Sequence, residues 1–369
     1  MVNTYIFFII KLSFLNWRTT KFFFLLPNLK FGGAERVSIN LASNLKERGF
    51  EVYFLLMSLE GEFLKEAKEE FNVLNLSCNR TYKLPFKLIY VFWKYRPYAI
   101  ISSFWKLNLC NCLARLFYPK VKSFLWEHGL PSLNEHNKPK WLFSISASLI
   151  YPIANRIITV SSSVSSDINA ITFGLEHRMS VIFNPIIPPD FEFKKTKEIT
   201  NKRRLIWVGR LENLKNPELM IDAFSLLSEN YFLDFIGDGN LKLKLENKCK
   251  KHGLEKRINF RGFQSDVYEW MINADVLVLT SDHEGLPSVI VEALYCGLRI
   301  VSTDCKGGIR DILCNEKYGK LVPIRDPKAL ATAIENSYNF SYNAEFQKEG
   351  GDRFLPKVIT EQFLNEILA

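Results

Sequence analysis

The chain has 369 residues, 47% of them hydrophobic and 24% charged, enough for two domains with a sizeable core. Its net charge of +9 lies wholly in residues 1–190, where 22 Lys and Arg stand against 13 Asp and Glu, while residues 191–369 hold 26 of each. No apolar run reaches the roughly 18 residues that a membrane-spanning helix needs, and seven cysteines, odd in number and without a C-x-x-C pair, imply neither a disulfide framework nor a zinc site and fit a reducing cytoplasm.

Residues 1–20 contain an apolar core too short for a signal peptide, and read either as an extension that touches a membrane surface or as a mis-set start. From there strands alternate with helices. Residues 22–26 form a buried strand, followed by the glycine turn at Gly32 and Gly33 and a helix over 33–47. Further strands are predicted at 51–57, 99–103, 121–126 and 156–160. Prolines 185, 188 and 189 punctuate a break, and a second set begins at 204–208 and continues at 233–236, 258–260, 276–280 and 298–302. A helix over about 354–368 ends the chain. The pattern predicts two doubly wound α/β domains, at 21–185 and 186–345, with residues 346–369 a helical segment crossing back to the first. Ligands of such sheets bind beyond the carboxyl ends of the strands, so the expected site is a cleft lined by those loops.

Between Arg80 and Trp126 nine Lys and Arg occur without one acid, interleaved with aromatics such as Tyr82, Phe86, Tyr90, Trp93 and Trp105. Such a surface suits anionic lipid head groups. The alternative is that the rings are core and the lysines merely solvated. No nucleic-acid module is recognisable, and nucleic acid is not an expected partner.

The stretch VLVLTSDHEGLPSVIVEALYCGL carries the most chemistry. It runs from a strand through a Gly-Leu-Pro turn into a helix opened by Pro287 and Ser288, with Glu284 in the loop and Glu292 eight positions on. Free N–H groups and the positive dipole of the helix start suit a phosphate between two carboxylates that accept hydroxyls. In WVGRLENLKNP, Arg210 and Lys215 follow a strand, separated by four residues. PNLKFGGAERV lets the main chain approach a ligand at Gly32 and Gly33 but is not G-x-G-x-x-G, so no nicotinamide cofactor is indicated. His128 in WEHGLPS stands at a strand end, whereas His136 reads as solvent-facing.

Together these segments resemble the retaining GT-B glycosyltransferases of family four, over about residues 22–334. The resemblance implies that Arg210 and Lys215 hold the donor diphosphate in place of a metal, that Glu292 binds the ribose hydroxyls, and that Glu284, Gly285 and Leu286 orient the sugar. It further implies that His128 approaches the donor sugar, that Gly32 and Gly33 lie against the donor, and that Gly237, Gly239 and Phe263 border the nucleotide. Two departures stand out: Asp311 replaces the glutamate usual after the Gly-Gly of STDCKGGIRDIL, and Asn184-Pro185 stands where relatives have Asn-Gly.

The resulting expectation is a metal-independent, cofactor-free transferase. It would move a hexose or N-acetylhexosamine from a nucleotide sugar, UDP-linked, to a lipid-linked or lipopolysaccharide saccharide, working peripherally on the cytoplasmic face of the inner membrane. The alternatives are a nucleotide-sugar 2-epimerase of the same fold and a non-catalytic sugar-binding subunit.

Overall fold

The computed structural model describes residues 20–30, 32–133, 140–189, 201–339 and 343–368. The readings made above for residues 1–19 and for His136 lie outside that set. The chain divides into two compact units, Met1–Ile187 with Phe354–Ala369, and Pro188–Arg353.

The first unit begins with β1 (Lys21–Leu26), α1 (Gly33–Glu47), β2 (Glu51–Leu56), α2 (Leu64–Glu70) and β3 (Asn72–Asn75). It continues through α3 (Leu84–Tyr95), β4 (Ala99–Ser103), α4 (Trp105–Arg115), β5 (Lys122–Glu127), α5 (Lys140–Ile150), β6 (Arg156–Thr159), α6 (Ser162–Ile171) and β7 (Met179–Val181). The strands form one parallel sheet in the order β3-β2-β1-β4-β5-β6-β7. Helices cover both faces of such a sheet, so its central strands are continuous apolar runs: KFFFLL and EVYFLL pair Phe24 with Phe54, whose rings stack at 5.3 Å.

The second unit contains β8 (Arg203–Val208), α7 (Pro217–Phe224), β9 (Tyr231–Ile236), α8 (Lys242–Lys251), β10 (Ile258–Phe260), α9 (Tyr268–Met271) and β11 (Val276–Leu279). After these come α10 (Ser288–Tyr295), β12 (Arg299–Thr303), α11 (Ile309–Leu313), β13 (Lys320–Val322), α12 (Pro327–Ser337) and α13 (Ala344–Gly351). This sheet is parallel too, in the order β10-β9-β8-β11-β12-β13.

The terminal helix α14 (Pro356–Leu368) belongs to the first unit. It packs on α1, the Phe363 ring meets Trp126 edge-on at 4.9 Å, and Glu366 accepts from Arg156 at 3.0 Å. Helix α13 stays with the second unit, where its Ala344 lies against Gly297 and its Gly350 and Gly351 lie against the rings of Tyr318 and Tyr295.

Strand order reverses between β1 and β4 in one sheet and between β8 and β11 in the other. The loops that leave these four strands therefore flank the topological switch points where open parallel sheets bind ligands. Gly32, Gly33 and Phe104 follow β1 and β4; Arg210, Lys215, Glu284 and Gly285 follow β8 and β11.

Candidate functional site

In the second unit the loops after β8 and β11 are fastened together by main-chain and hydroxyl contacts. The Trp207 indole donates to Thr280 Oγ1 at 2.9 Å, and that hydroxyl donates to the Lys215 carbonyl at 2.8 Å. The Asp282 N–H donates to the Leu214 carbonyl at 2.9 Å, and the Asn216 amide reaches Asp282 Oδ1 at 3.3 Å. On this frame Lys215 Nζ meets Glu284 Oε1 at 2.5 Å, and Ser281 Oγ donates to the same oxygen at 2.6 Å. Glu284 is buried, so its charge is compensated by one cation and one hydroxyl instead of by water.

A third loop, after β12, closes on the second. The Glu284 N–H donates to the Lys306 carbonyl at 3.0 Å and the Gly308 N–H to the Gly285 carbonyl at 2.9 Å. Gly307 has φ +143°, and a Cβ there would lie 2.0 Å from the Glu284 carbonyl oxygen. Gly307→Ala must therefore displace the Glu284 loop, and we expect it to lower stability by more than about 1 kcal/mol in thermal unfolding. Gly237 and Gly239 serve a similar end. A Cβ on the first would sit 2.0 Å from the Gly209 carbonyl oxygen and on the second 2.5 Å from that of Leu211, so their close approach is to the chain's own β8 loop.

Arg210 is not drawn into this cluster. Its guanidinium pairs with Glu212 at 3.2 Å and 70% of its side chain is exposed. Gly285 follows Glu284 in the loop, Leu286 is buried, Pro287 is the extended residue capping α10, and Ser288 is its first helical residue. Glu292, further along α10, keeps part of its surface open, yet burial pushes its carboxyl up to about 7, with the Asp266 carboxylate adding to the effect. Burial and the Glu292 charge together raise Tyr268 well above the usual phenol range. Phe263, after β10, is exposed.

In the first unit, the carboxylate of Glu35 lies over Gly32, where a Cβ would stand 2.1 Å from Oε2, and burial raises the Glu35 pKa. Gly33 opens α1 with free space at its Cα. His128 follows β5, its ring 4.7 Å from that of Trp126 and 6.3 Å from Phe104, with Nε2 3.2 Å from Ser103 Oγ. Its Nδ1 has no hydrogen-bond partner among the described residues, and burial pushes the imidazole down to about 3. His128 is thus a neutral hydrogen-bonding group across the physiological range and not a cation. Phe104 holds φ +75°, a strained conformation for a bulky residue.

Beneath them the buried Glu127 accepts from the Asn108 amide at 2.8 Å and from the Tyr151 hydroxyl. Asn108 in turn accepts from Ser102 at 2.7 Å, which ties the start of α4 to β4 and β5. Among the described residues no three His, Cys, Asp or Glu side chains are grouped as a metal site requires.

Thr280, Ser281, Gly307 and Asp266 are the site residues that sequence reasoning missed. The adjacent Thr-Ser hydroxyls at the end of an apolar strand were the available signal for the first two.

Comparison with known proteins places these features in a family. The family model described as glycosyl transferases group 1 matches residues 189–345, and that of glycosyltransferase family 4 matches residues 31–188. An N-acetylgalactosamine-N,N'-diacetylbacillosaminyl-diphospho-undecaprenol 4-alpha-N-acetylgalactosaminyltransferase of Campylobacter jejuni is 28% identical over 84% of this chain and 87% of its own length. The lipopolysaccharide 1,6-galactosyltransferase of Salmonella typhimurium is 25% identical over 79% of this chain and 82% of its own. The crystal structure of Anabaena Alr3699/HepE in complex with UDP aligns with TM-score 0.80 and 21% identity, covering 94% of this chain and 99% of that one. The chain belongs to the group 1, family 4 glycosyltransferases and has their GT-B fold, two parallel-sheet Rossmann-like domains.

Proposed function

We propose that the protein transfers a hexose or N-acetylhexosamine from a UDP-sugar to a lipid-linked or lipopolysaccharide saccharide, with retention at the anomeric carbon and without a metal. The observation that carries this reading is the Lys215–Glu284 pair at 2.5 Å, held at the switch point of the second sheet by three interlocked loops. A cation and a sugar-orienting carboxylate are there fixed before substrate arrives, which is what transition-state stabilisation by preorganised charge demands.

Lys215 meets the donor diphosphate from its place beside Glu284, and Arg210, extended into solvent, folds onto it. Both neutralise the charge that grows on the departing UDP as the C1–O bond breaks. Glu284, with the N–H groups of Gly285 and Leu286, orients the sugar, and Glu292 accepts from the ribose hydroxyls. Pro287 and Ser288 present the start of α10 to the phosphates. Gly237, Gly239 and Phe263 border the nucleotide, and Gly32 and Gly33 lie against the donor. His128 donates or accepts one neutral hydrogen bond with the donor sugar. The acceptor hydroxyl attacks C1 on the face that UDP leaves, and its proton passes to the leaving phosphate oxygen, so no protein nucleophile is consumed.

The two transferases named above act on diphospho-undecaprenol-linked and lipopolysaccharide saccharides, which supports an acceptor of that class. All seven cysteines are free, in keeping with a reducing cytoplasm and work at the inner face of the membrane.

The test is a thermal-shift screen against UDP, GDP and their hexose and N-acetylhexosamine conjugates. UDP compounds should raise the apparent melting temperature by mass action, and transfer should persist in excess EDTA. Failure of every UDP compound to bind would overturn the reading. Conversion of UDP-N-acetylglucosamine to a new sugar nucleotide without acceptor would replace it with epimerisation.

A further inference from the structure

Five acidic side chains are buried among the described residues: Glu35, Glu127, Asp167, Asp275 and Glu284. A carboxylate taken out of water needs partners, and four of the five receive them from other segments of the chain. Glu127 accepts from Asn108 and Tyr151, Asp167 from the N–H and hydroxyl of Ser132, Asp275 from the Arg204 N–H, and Glu284 from Lys215 and Ser281. Glu35 is the exception. It is 9% exposed, and the one hydrogen bond its carboxylate accepts comes from its own N–H. The cations nearest in sequence are engaged elsewhere: Lys30 pairs with Glu60 at 2.8 Å, and Arg36 pairs with Glu66 at 2.8 Å while lying 4.1 Å from the centre of the Phe63 ring.

The place of this carboxylate gives it a use. Glu35 is the third residue of α1 and folds back over Gly32, where the absence of a Cβ leaves it room; a Cβ there would stand 2.1 Å from Oε2 and 3.0 Å from Cδ. Helix α1 follows β1 at the reversal of strand order, so the carboxylate lies where a parallel sheet takes its ligand. The N–H groups of a helix start ordinarily draw a phosphate, but here the chain's own anion stands over them and repels another. What this spot lacks is hydrogen-bond donors.

The neighbouring loop narrows the class of ligand. Strand β4 pairs with β1 so that Ser102 lies level with Leu25, and Phe104, leaving β4, has its ring 38% exposed. A ring face that meets C–H groups, beside a carboxylate that accepts from hydroxyls, suits a sugar.

We propose that Glu35 is a saccharide-binding residue, its carboxylate left unpaired by the fold so that the hydroxyls of a bound sugar complete its hydrogen bonds. The proposal rests on the transferase reading above for the source of that sugar, the donor's hexose or the acceptor's terminal ring, and the assays below separate the two. It also has a consequence without ligand. Burial raises the Glu35 pKa, so the ionised form opposes folding above that pKa, and a variant that imitates the neutral acid escapes the penalty. A glutamate at this position whose task was to cap α1 would do the reverse, and its loss would lower stability.

The experiment compares the full-length parent with Glu35→Gln at pH 8. In thermal scans without ligand the variant should melt at or above the parent; a lower melting temperature would make Glu35 a helix cap and overturn the proposal. Calorimetric titration with UDP, which carries no hexose, should give the parental affinity. With a UDP-hexose, a loss of affinity of about tenfold or more identifies the donor sugar as the ligand. Parental UDP-hexose affinity, together with a rise of about tenfold or more in the KM for a polyprenyl-diphosphate-linked saccharide, identifies the acceptor. Parental values in all of these assays overturn the proposal, as does weakened binding of UDP alone, which would place Glu35 on the nucleotide. If the parent binds no UDP compound the transferase reading falls, while a variant that melts above the parent still shows a carboxylate left waiting for a ligand.

Discussion

Lys215→Ala should cut sugar transfer by about 100-fold or more, the loss seen when one preorganised transition-state donor is removed. The truncation leaves the loop in place, because Lys215 is fastened through its carbonyl to Thr280 and its neighbour Leu214 through its carbonyl to Asp282. What disappears is the side chain beyond Cβ, with its ammonium. Its absence also leaves the buried Glu284 carboxylate with Ser281 as its remaining side-chain partner, so the unliganded variant should melt lower than the parent. The two effects separate in a single-turnover assay below the melting temperature. A structural role lowers stability and leaves the folded enzyme at the parental rate, whereas a role on the diphosphate lowers the rate at every temperature. A parental rate in the folded variant would remove Lys215 from the chemistry, and Lys215→Arg, which keeps the charge, should recover part of the loss.

Glu292→Gln should weaken binding of a UDP-hexose by about tenfold or more and flatten its pH dependence near neutrality, on the scale of hydrogen bonds to an ionised group. Burial holds the Glu292 carboxyl at about 7 in the unliganded protein, while two ribose hydroxyls are best accepted by the ionised form. Binding must then expel a proton below neutrality, so the affinity for a UDP-hexose should fall as pH drops below about 7 and be flat above it. Stability without ligand has the opposite slope. A carboxyl whose folded pKa exceeds its unfolded value favours the fold below the unfolded pKa, and loses that contribution as pH rises through the folded one. The window therefore lies between the ordinary carboxylate value and about 7. In Glu292→Gln, which imitates the neutral acid, the share of each slope that Glu292 supplies should vanish, and at pH 8 the unliganded variant should melt above the parent. Isothermal titration at several pH values with a UDP-hexose, whose esterified phosphates do not titrate near neutrality, reads the first, and thermal scans read the second. A parental pH dependence in the variant would dissociate Glu292 from the ribose.

The central strands were legible in the sequence because a parallel sheet covered on both faces leaves a continuous apolar run, as in KFFFLL and VLVL. The helix over 33–47 was legible from its glycine start and apolar spacing. Strands β3, β7 and β13 were not: NVLN and MSV contain no apolar run to separate them from loops, and of the short edge elements only β10 was read. The motif residues could be placed on their loops, but what holds those loops could not. Lys215 and Glu284 lie 69 residues apart, and no local periodicity announces that one neutralises the other. The glycines at 237 and 239 signal a close approach without saying to what, and the structure sets them against the β8 loop. Burial of Glu292 and His128 depends on the packing of other segments, so the directions of their pKa shifts come from the fold and not from the motif.

The interleaving of the two units bears on how the protein is made. Pro188–Arg353 is one unbroken segment, whereas the unit encoded first is finished only by Phe354–Ala369. On the ribosome the order of completion is thus inverted: the later-encoded half can consolidate while the earlier one still exposes the groove on α1 and Trp126 that α14 will fill. That helix leaves the exit tunnel only after the whole of Pro188–Arg353 has been made. Loss of that helix would therefore damage the half made first, and the exposed groove is where a chaperone would find it.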